Sequence, residues 1–187
     1  MEPALGGSEA VAVFIFKIII IKMVSRNRLN KELMEVSRSR DQDIILSPVE
    51  DNLFHWRGLI RGPPDSPYQK GWFKLDFQIE QNYPISPPKV KFMTKIFHPN
   101  IHFETGEICL DILKADHWTP AWTLESLCRA IVNLLENPNA DSPLNCDSGN
   151  CIRAGDLLAQ ESMAHMYTIE YACDESKTEA ETIISKR

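Results

Sequence analysis

The chain lacks a CxxC pair, a long uncharged apolar stretch and any excess of positive charge. Each absence removes a class. Its five cysteines are an odd number, and the nearest two, Cys146 and Cys151, lie five apart. That excludes a disulfide scaffold or zinc ribbon, and His165 does not complete a zinc-finger spacing. No metal is expected, and a reduced, intracellular chain with cysteine kept for chemistry fits better. A net charge of −6 argues against gripping phosphates, so no nucleic-acid partner is expected. The apolar run Ala10 to Val24, with Lys17 in its middle, falls short of the roughly 20 residues a membrane span needs. Glu2 and Glu9 precede it, where a secretory signal would carry positive charge.

What is present suits one domain. At 187 residues the chain can bury a core without staples, and 43% apolar with 25% charged residues excludes a disordered composition. Three segments are expected. Residues 1–23 form an atypical apolar extension, residues 24–170 the core domain, and residues 171–187 a charged tail. The extension is open to three readings: a weak membrane-associating segment, a disordered tail, or residues ahead of a true start at Met23. The last two are favoured. Exposed, its isoleucine run would be an aggregation hazard.

Helical spacing begins at Val24, where Leu29, Leu33 and Val36 form one stripe. Ile44-Ile45-Leu46, Phe54 to Arg61, Trp72 to Ile79 and Lys89 to Met93 read as strands joined by turns, an antiparallel meander. In the third, Phe73, Leu75, Phe77 and Ile79 alternate with Lys74, Asp76 and Gln78. Phe97 to Trp122 has no regular pattern, and so long a loop in a compact domain is usually functional. Thr123 then caps a helix whose buried face is Leu124, Leu127, Cys128, Ile131, Leu134 and Leu135. One last helix is expected from about Asn150 to Tyr167. Helix, four strands, loop and helices make an α+β domain.

The long loop holds His98-Pro99-Asn100, then Cys109-Leu110-Asp111-Ile112-Leu113, then Trp118-Thr119-Pro120-Ala121-Trp122. His-Pro-Asn alone is weak evidence; the three segments in this order after a meander are strong. Together with Arg28 to Leu33, Phe54-His55-Trp56, Asp65 to Tyr68, Tyr83-Pro84 and Pro87-Pro88, they resemble the core of the ubiquitin-conjugating enzymes over roughly Ser25 to Tyr167. The resemblance implies the ubiquitin-conjugating fold, with Cys109 as acyl carrier. It takes ubiquitin from the activating enzyme as a thioester, with no cofactor bound directly; ATP is used upstream. Asn100 would steady the oxyanion, or brace the loop by bonding its backbone; both readings stand. Asp111 is the third catalytic candidate. His98, Pro99, Asp141 and Ser142 would support the site, His98 structurally. Cys128, on an apolar helix face, reads as core.

Several positions depart from the family pattern. The Asn100–Cys109 loop and the stretch after Leu113 are each one residue longer than usual. Ser142 stands where many members place an aspartate, with Asp141 displaced by one, and Phe97 replaces a tyrosine. These features are most similar to the peroxisomal branch, peroxin-4. That branch modifies a cysteine on the peroxisomal import receptor, so the chain is expected to work in the cytoplasm at the cytosolic face of the peroxisome. By the same resemblance, Arg28 and Lys31 on an exposed helix face would meet the activating enzyme. Ile85, Thr119, Pro120 and Ala121 would meet a RING ligase. An exposed Ile45 on the sheet would suit a dedicated partner, and the peroxisomal branch has a membrane-tethering one. The rivals are a lysine-directed conjugating enzyme, a non-catalytic ubiquitin-binding adaptor and a thiol redox protein. The last lacks a resolving cysteine near Cys109.

Overall fold

The computed structural model describes residues 7–173 together with Thr178. Helix α1 (Gly7–Arg38) leads into strands β1 (Ile44–Val49), β2 (Asn52–Arg61), β3 (Trp72–Gln78) and β4 (Lys89–Phe92). The strands form one antiparallel sheet in chain order. Helices α2 (Leu124–Glu136), α3 (Cys146–Arg153) and α4 (Leu157–Ala172) follow the long loop. The α+β meander is therefore as expected, with strand ends displaced by a few residues at most.

The inner sheet face carries the core. Phe73 lies opposite Ile60, and Phe77 opposite Trp56 and Val90. All are buried with Leu29 and Val36 of α1 and with the apolar face of α2. Thr123 caps α2 reciprocally with Ser126, supplying partners to orphan N-terminal amides.

Three expectations need correcting. First, α1 does not start at Val24. It is continuous from Gly7, because the run through Ile21 contains neither glycine nor proline to break it. Second, the final helix is two. Gly155 adopts φ 74°, while the amides of Gly155 and Asp156 fold back onto the carbonyls of Ile152 and Cys151. Such a left-handed cap ends α3, and the Asp156 side chain then caps α4 by accepting from the Ala159 amide. Third, Ile45 is only 3% exposed. It pairs directly with Leu59 and is buried with Leu59 and Trp72 in a second small cluster on the outer sheet face. It therefore offers no exposed patch. The charged tail beyond Cys173 lies outside the described residues, except for Thr178.

Candidate active site

The long loop is anchored at both ends of its working part. Ile101 bridges Ile108, Glu107 bridges Lys91 of β4, and the Cys109 amide donates to the Asn100 carbonyl at 2.8 Å. Gly106 makes this possible. Its φ is 72°, and a Cβ there would sit 1.9 Å from the Phe92 carbonyl oxygen. Only glycine lets the loop lie so close to β4. The ladder delivers Cys109 half-buried beside Asn100, immediately before a short 3-10 turn at Asp111–Leu113.

His98 is wholly buried, and its neighbours settle its protonation. Nδ1 accepts from the Asn100 amide at 3.1 Å, so Nε2 holds the proton and donates to the Leu134 carbonyl at 3.0 Å. That carbonyl is one of the four that the end of α2 leaves without an intrahelical donor. Burial pulls the imidazole pKa down to about 4, against the opposing pull of the Leu134 bond. His98 is a neutral strut between the loop and the end of α2.

Asn100 is buried, and its amide grips one backbone unit. Oδ1 accepts from the Asn139 amide at 2.8 Å, and Nδ2 donates to the Asn139 carbonyl at 2.7 Å. Bracing is thus a role the geometry displays, tying the active-site loop to the chain leaving α2. The same nitrogen carries a second N–H. Pro99 supplies another tie, its carbonyl accepting from the amides of Leu144 and Asn145. This holds the Asp141–Ser142–Pro143 stretch against His98-Pro99-Asn100, with Asp141 and Ser142 exposed. Gly149 lets α3 approach that stretch, since a Cβ there would meet Pro143 at 2.7 Å. Asp111 is exposed and paired with Lys114 at 2.7 Å. That hydrogen bond, reinforced by the ammonium charge, holds the carboxyl below its usual range. Burial excludes Cys128 from such chemistry by pushing its thiol pKa far up.

On the neighbouring face, the Tyr83–Ile85 loop and the Trp118–Trp122 segment join through the Trp118 indole, which donates to the Pro84 carbonyl at 2.8 Å. Ile85, Thr119, Pro120 and Ala121 are exposed together on this side. Arg28 does not match its expectation. Its side chain is 23% exposed and ion-paired with Glu32 at 2.5 Å, and it donates to the carbonyls of Pro120 and Trp122. The guanidinium is an internal brace because those carbonyls need donors. Lys31, at 75% exposure, does stand on the surface.

Sequence reasoning overlooked Glu32, whose buried carboxylate also accepts from Tyr83 Oη and the Leu124 amide. Its spacing four after Arg28 was a usable signal; nothing local marked Asn139. A cleft of about 650 Å³ lies elsewhere, between Asp41, Arg61, Pro63, Lys70 and Arg129, and includes none of the site residues. No cluster of three or more histidine, cysteine, aspartate or glutamate side chains suited to a metal ion occurs among the described residues.

The model of the family described as "Ubiquitin-conjugating enzyme" matches residues 28–166. The chain belongs to the ubiquitin-conjugating enzyme family. It is a transferase of that family. Protein PEROXIN-4 of Arabidopsis thaliana is 57% identical over 146 residues, covering 77% of this chain and 92% of the relative. Ubiquitin-conjugating enzyme E2 pex4 of Dictyostelium discoideum is 54% identical over 147 residues, covering 78% and 98%. Among solved structures, H. polymorpha Pex4p, in complex with the soluble domain of Pex22p, superposes with TM-score 0.73. That likeness is at 40% identity over 79% of this chain and 98% of that one. A Toxoplasma gondii ubiquitin-conjugating E2 domain gives 0.72 at 37% identity, covering 79% and 98%. Within the ubiquitin-conjugating enzymes the likeness is to the peroxin-4 branch.

Proposed function

We propose that Cys109 carries ubiquitin as a thioester and passes it, with a RING ligase, to a cysteine of the peroxisomal import receptor. The observation that carries this reading is a half-buried cysteine whose backbone amide donates to the Asn100 carbonyl, inside the family match. The Cys109 thiolate attacks the carbonyl carbon of the activating enzyme's thioester. The tetrahedral oxyanion collapses, and the activating enzyme's thiolate leaves, so the exchange is nearly isoenergetic and no cofactor binds. ATP is spent upstream. Asn100 serves twice: one amide hydrogen holds Asn139, and the second steadies the oxyanion, a donor worth about 2.7–4 kcal/mol of barrier.

The mouth of the site favours a thiol acceptor. Ser142 leaves no carboxylate at its position, and Asp111 is held by Lys114. Neutralising a lysine near pH 7 costs about 4–5 kcal/mol, against about 2 kcal/mol to ionise a cysteine. A missing base therefore penalises lysine more. Lys31 contacts the activating enzyme, and the Ile85 and Thr119–Ala121 surface the ligase. A protein tether at the cytosolic face of the peroxisomal membrane is supported by the H. polymorpha relative, solved with the soluble domain of Pex22p.

Incubation with ubiquitin, ATP and activating enzyme should give an adduct that reducing agent removes. Cys109→Ser should give a reductant-resistant ester or none. Discharge of the charged enzyme onto free cysteine should outpace discharge onto free lysine; a strong lysine preference would favour the lysine-directed reading instead.

A further inference from the structure

The rim of the site carries a pair of opposite charges that the core does not require. Lys114 Nζ donates to Asp111 Oδ1 at 2.7 Å, the two side chains being 52% and 72% exposed. An ion pair so open to water contributes little to stability. Its place in the chain is nevertheless fixed. The Leu113 amide donates to the Leu110 carbonyl and the Lys114 amide to the Asp111 carbonyl, closing the turn that follows Cys109. On the other side, the amides of His117 and Trp118 both donate to the Lys114 carbonyl, at 3.1 and 3.0 Å. The Trp118 indole is tied in turn to Pro84.

Lys114 is also within electrostatic reach of the sulfur. The Asp111 hydrogen bond, then the Asp111 charge, then a thiolate at Cys109 raise the pKa of its ammonium. Asp116 adds a weaker pull of the same sign, and His117 lies 3.8 Å from Asp116. The two kinds of acceptor bring different charges to this rim. A thiolate arrives negative: its sulfur attacks the thioester carbonyl, a new C–S bond forms, and Cys109 leaves as the thiolate. An amine arrives as an ammonium, sheds one proton to attack and a second after its nitrogen has bonded, and Cys109 again leaves as the thiolate. Between those two losses the nitrogen is positive. A bare carboxylate at the mouth would stabilise that nitrogen and accept its proton, while repelling a thiolate. Pairing with Lys114 cancels that carboxylate.

We infer that Lys114 sets the acceptor preference of the site, by neutralising Asp111 at its mouth and so favouring an attacking thiolate over an attacking amine. This role rests on the reading of Cys109 as acyl carrier, and not on which acceptor is the natural one. Whatever the preference of the unchanged chain, the charge at position 114 shifts it.

Single-round discharge of the ubiquitin-charged full chain onto the Nα-acetyl amides of cysteine and of lysine, whose backbones are neutral, tests this. The ratio of lysine to cysteine discharge cancels any change common to both acceptors. At about 0.01 M salt the ratio should rise by about threefold for each unit of positive charge lost from the rim, the effect of a unit charge roughly 7 Å away in water. Asp111→Asn should lie below the unchanged chain, Lys114→Ala above it and Lys114→Glu higher still. Lys114→Arg, which keeps the charge, should stay with the unchanged chain. Near about 1 M salt, where screening acts over about 3 Å, the spread should close. A ratio that stays level across Lys114→Ala and Lys114→Glu overturns the role. So does one that moves as far with Lys114→Arg as with Lys114→Glu, since shape and not charge would then decide. An unchanged chain that takes up no ubiquitin overturns the carrier reading itself, and shows before any discharge is measured.

Discussion

At the scale of single residues, His98 shows how burial turns a titratable ring into a fixed part. Its proton is committed to the Leu134 carbonyl, and its other nitrogen to the Asn100 amide. In the unfolded chain the ring takes up a proton near pH 6.5, whereas in the fold burial delays this to about pH 4. Between those values the unfolded state binds more protons, so stability is full above about pH 6.5 and drains as pH falls toward 4. From pH 7 to pH 5 the loss is about 2 kcal/mol. Urea midpoints across that range should show it, and His98→Gln should flatten the slope. If the native chain shows no such slope, the neutral-strut assignment fails. Because Asn100 and Leu134 are the two groups His98 holds, protonating its ring should loosen the site.

At the scale of elements, Glu32 is where α1, α2 and the loop after β3 meet. Its carboxylate receives Arg28, Tyr83 Oη and the first amide of α2, the end of a helix where negative charge is favoured. Arg28 and Lys31 therefore separate by effect although they lie three apart. Arg28→Ala removes two bonds to carbonyls and leaves the buried Glu32 carboxylate without its counter-charge, held only by Tyr83 Oη and the Leu124 amide. A loss of about 3–5 kcal/mol is expected, read from denaturant unfolding. Lys31→Glu should change stability by less than about 0.5 kcal/mol, yet slow charging by the activating enzyme severalfold in single-round assays. Equal destabilisation by both substitutions would show that the brace does not exist.

At the scale of the whole molecule, the core and the N-terminal extension are separable. The main buried cluster begins at Leu29, and no large apolar residue from Val11 to Val24 is buried. Removing residues 1–23 should leave the unfolding free energy within about 1 kcal/mol and charging unchanged, measured side by side with the full chain. A collapse of stability would mean that the extension is part of the fold. Much of that fold was legible beforehand. The period of two in Trp72 to Ile79, the capped stripe of Leu124 to Leu135 and the patternless span around Cys109 are local signals, each carried by neighbours a few residues apart. The break at Gly155 was legible too, in a glycine followed by a capping aspartate, although a single helix was expected there. The sequence by itself thus determined the order of elements, the segregation of apolar side chains and which loop would hold the sulfur, because hydrophobic periodicity and caps act over one or two turns. Only the tertiary structure decided that Arg28 turns inward and that Asn100 clamps the chain. Their partners lie 92, 94 and 39 residues away, and a hydrogen bond over that distance in sequence leaves no trace in the local pattern. The burial of Ile45 belongs with these, since it rests on Leu59 and Trp72 arriving from two other strands.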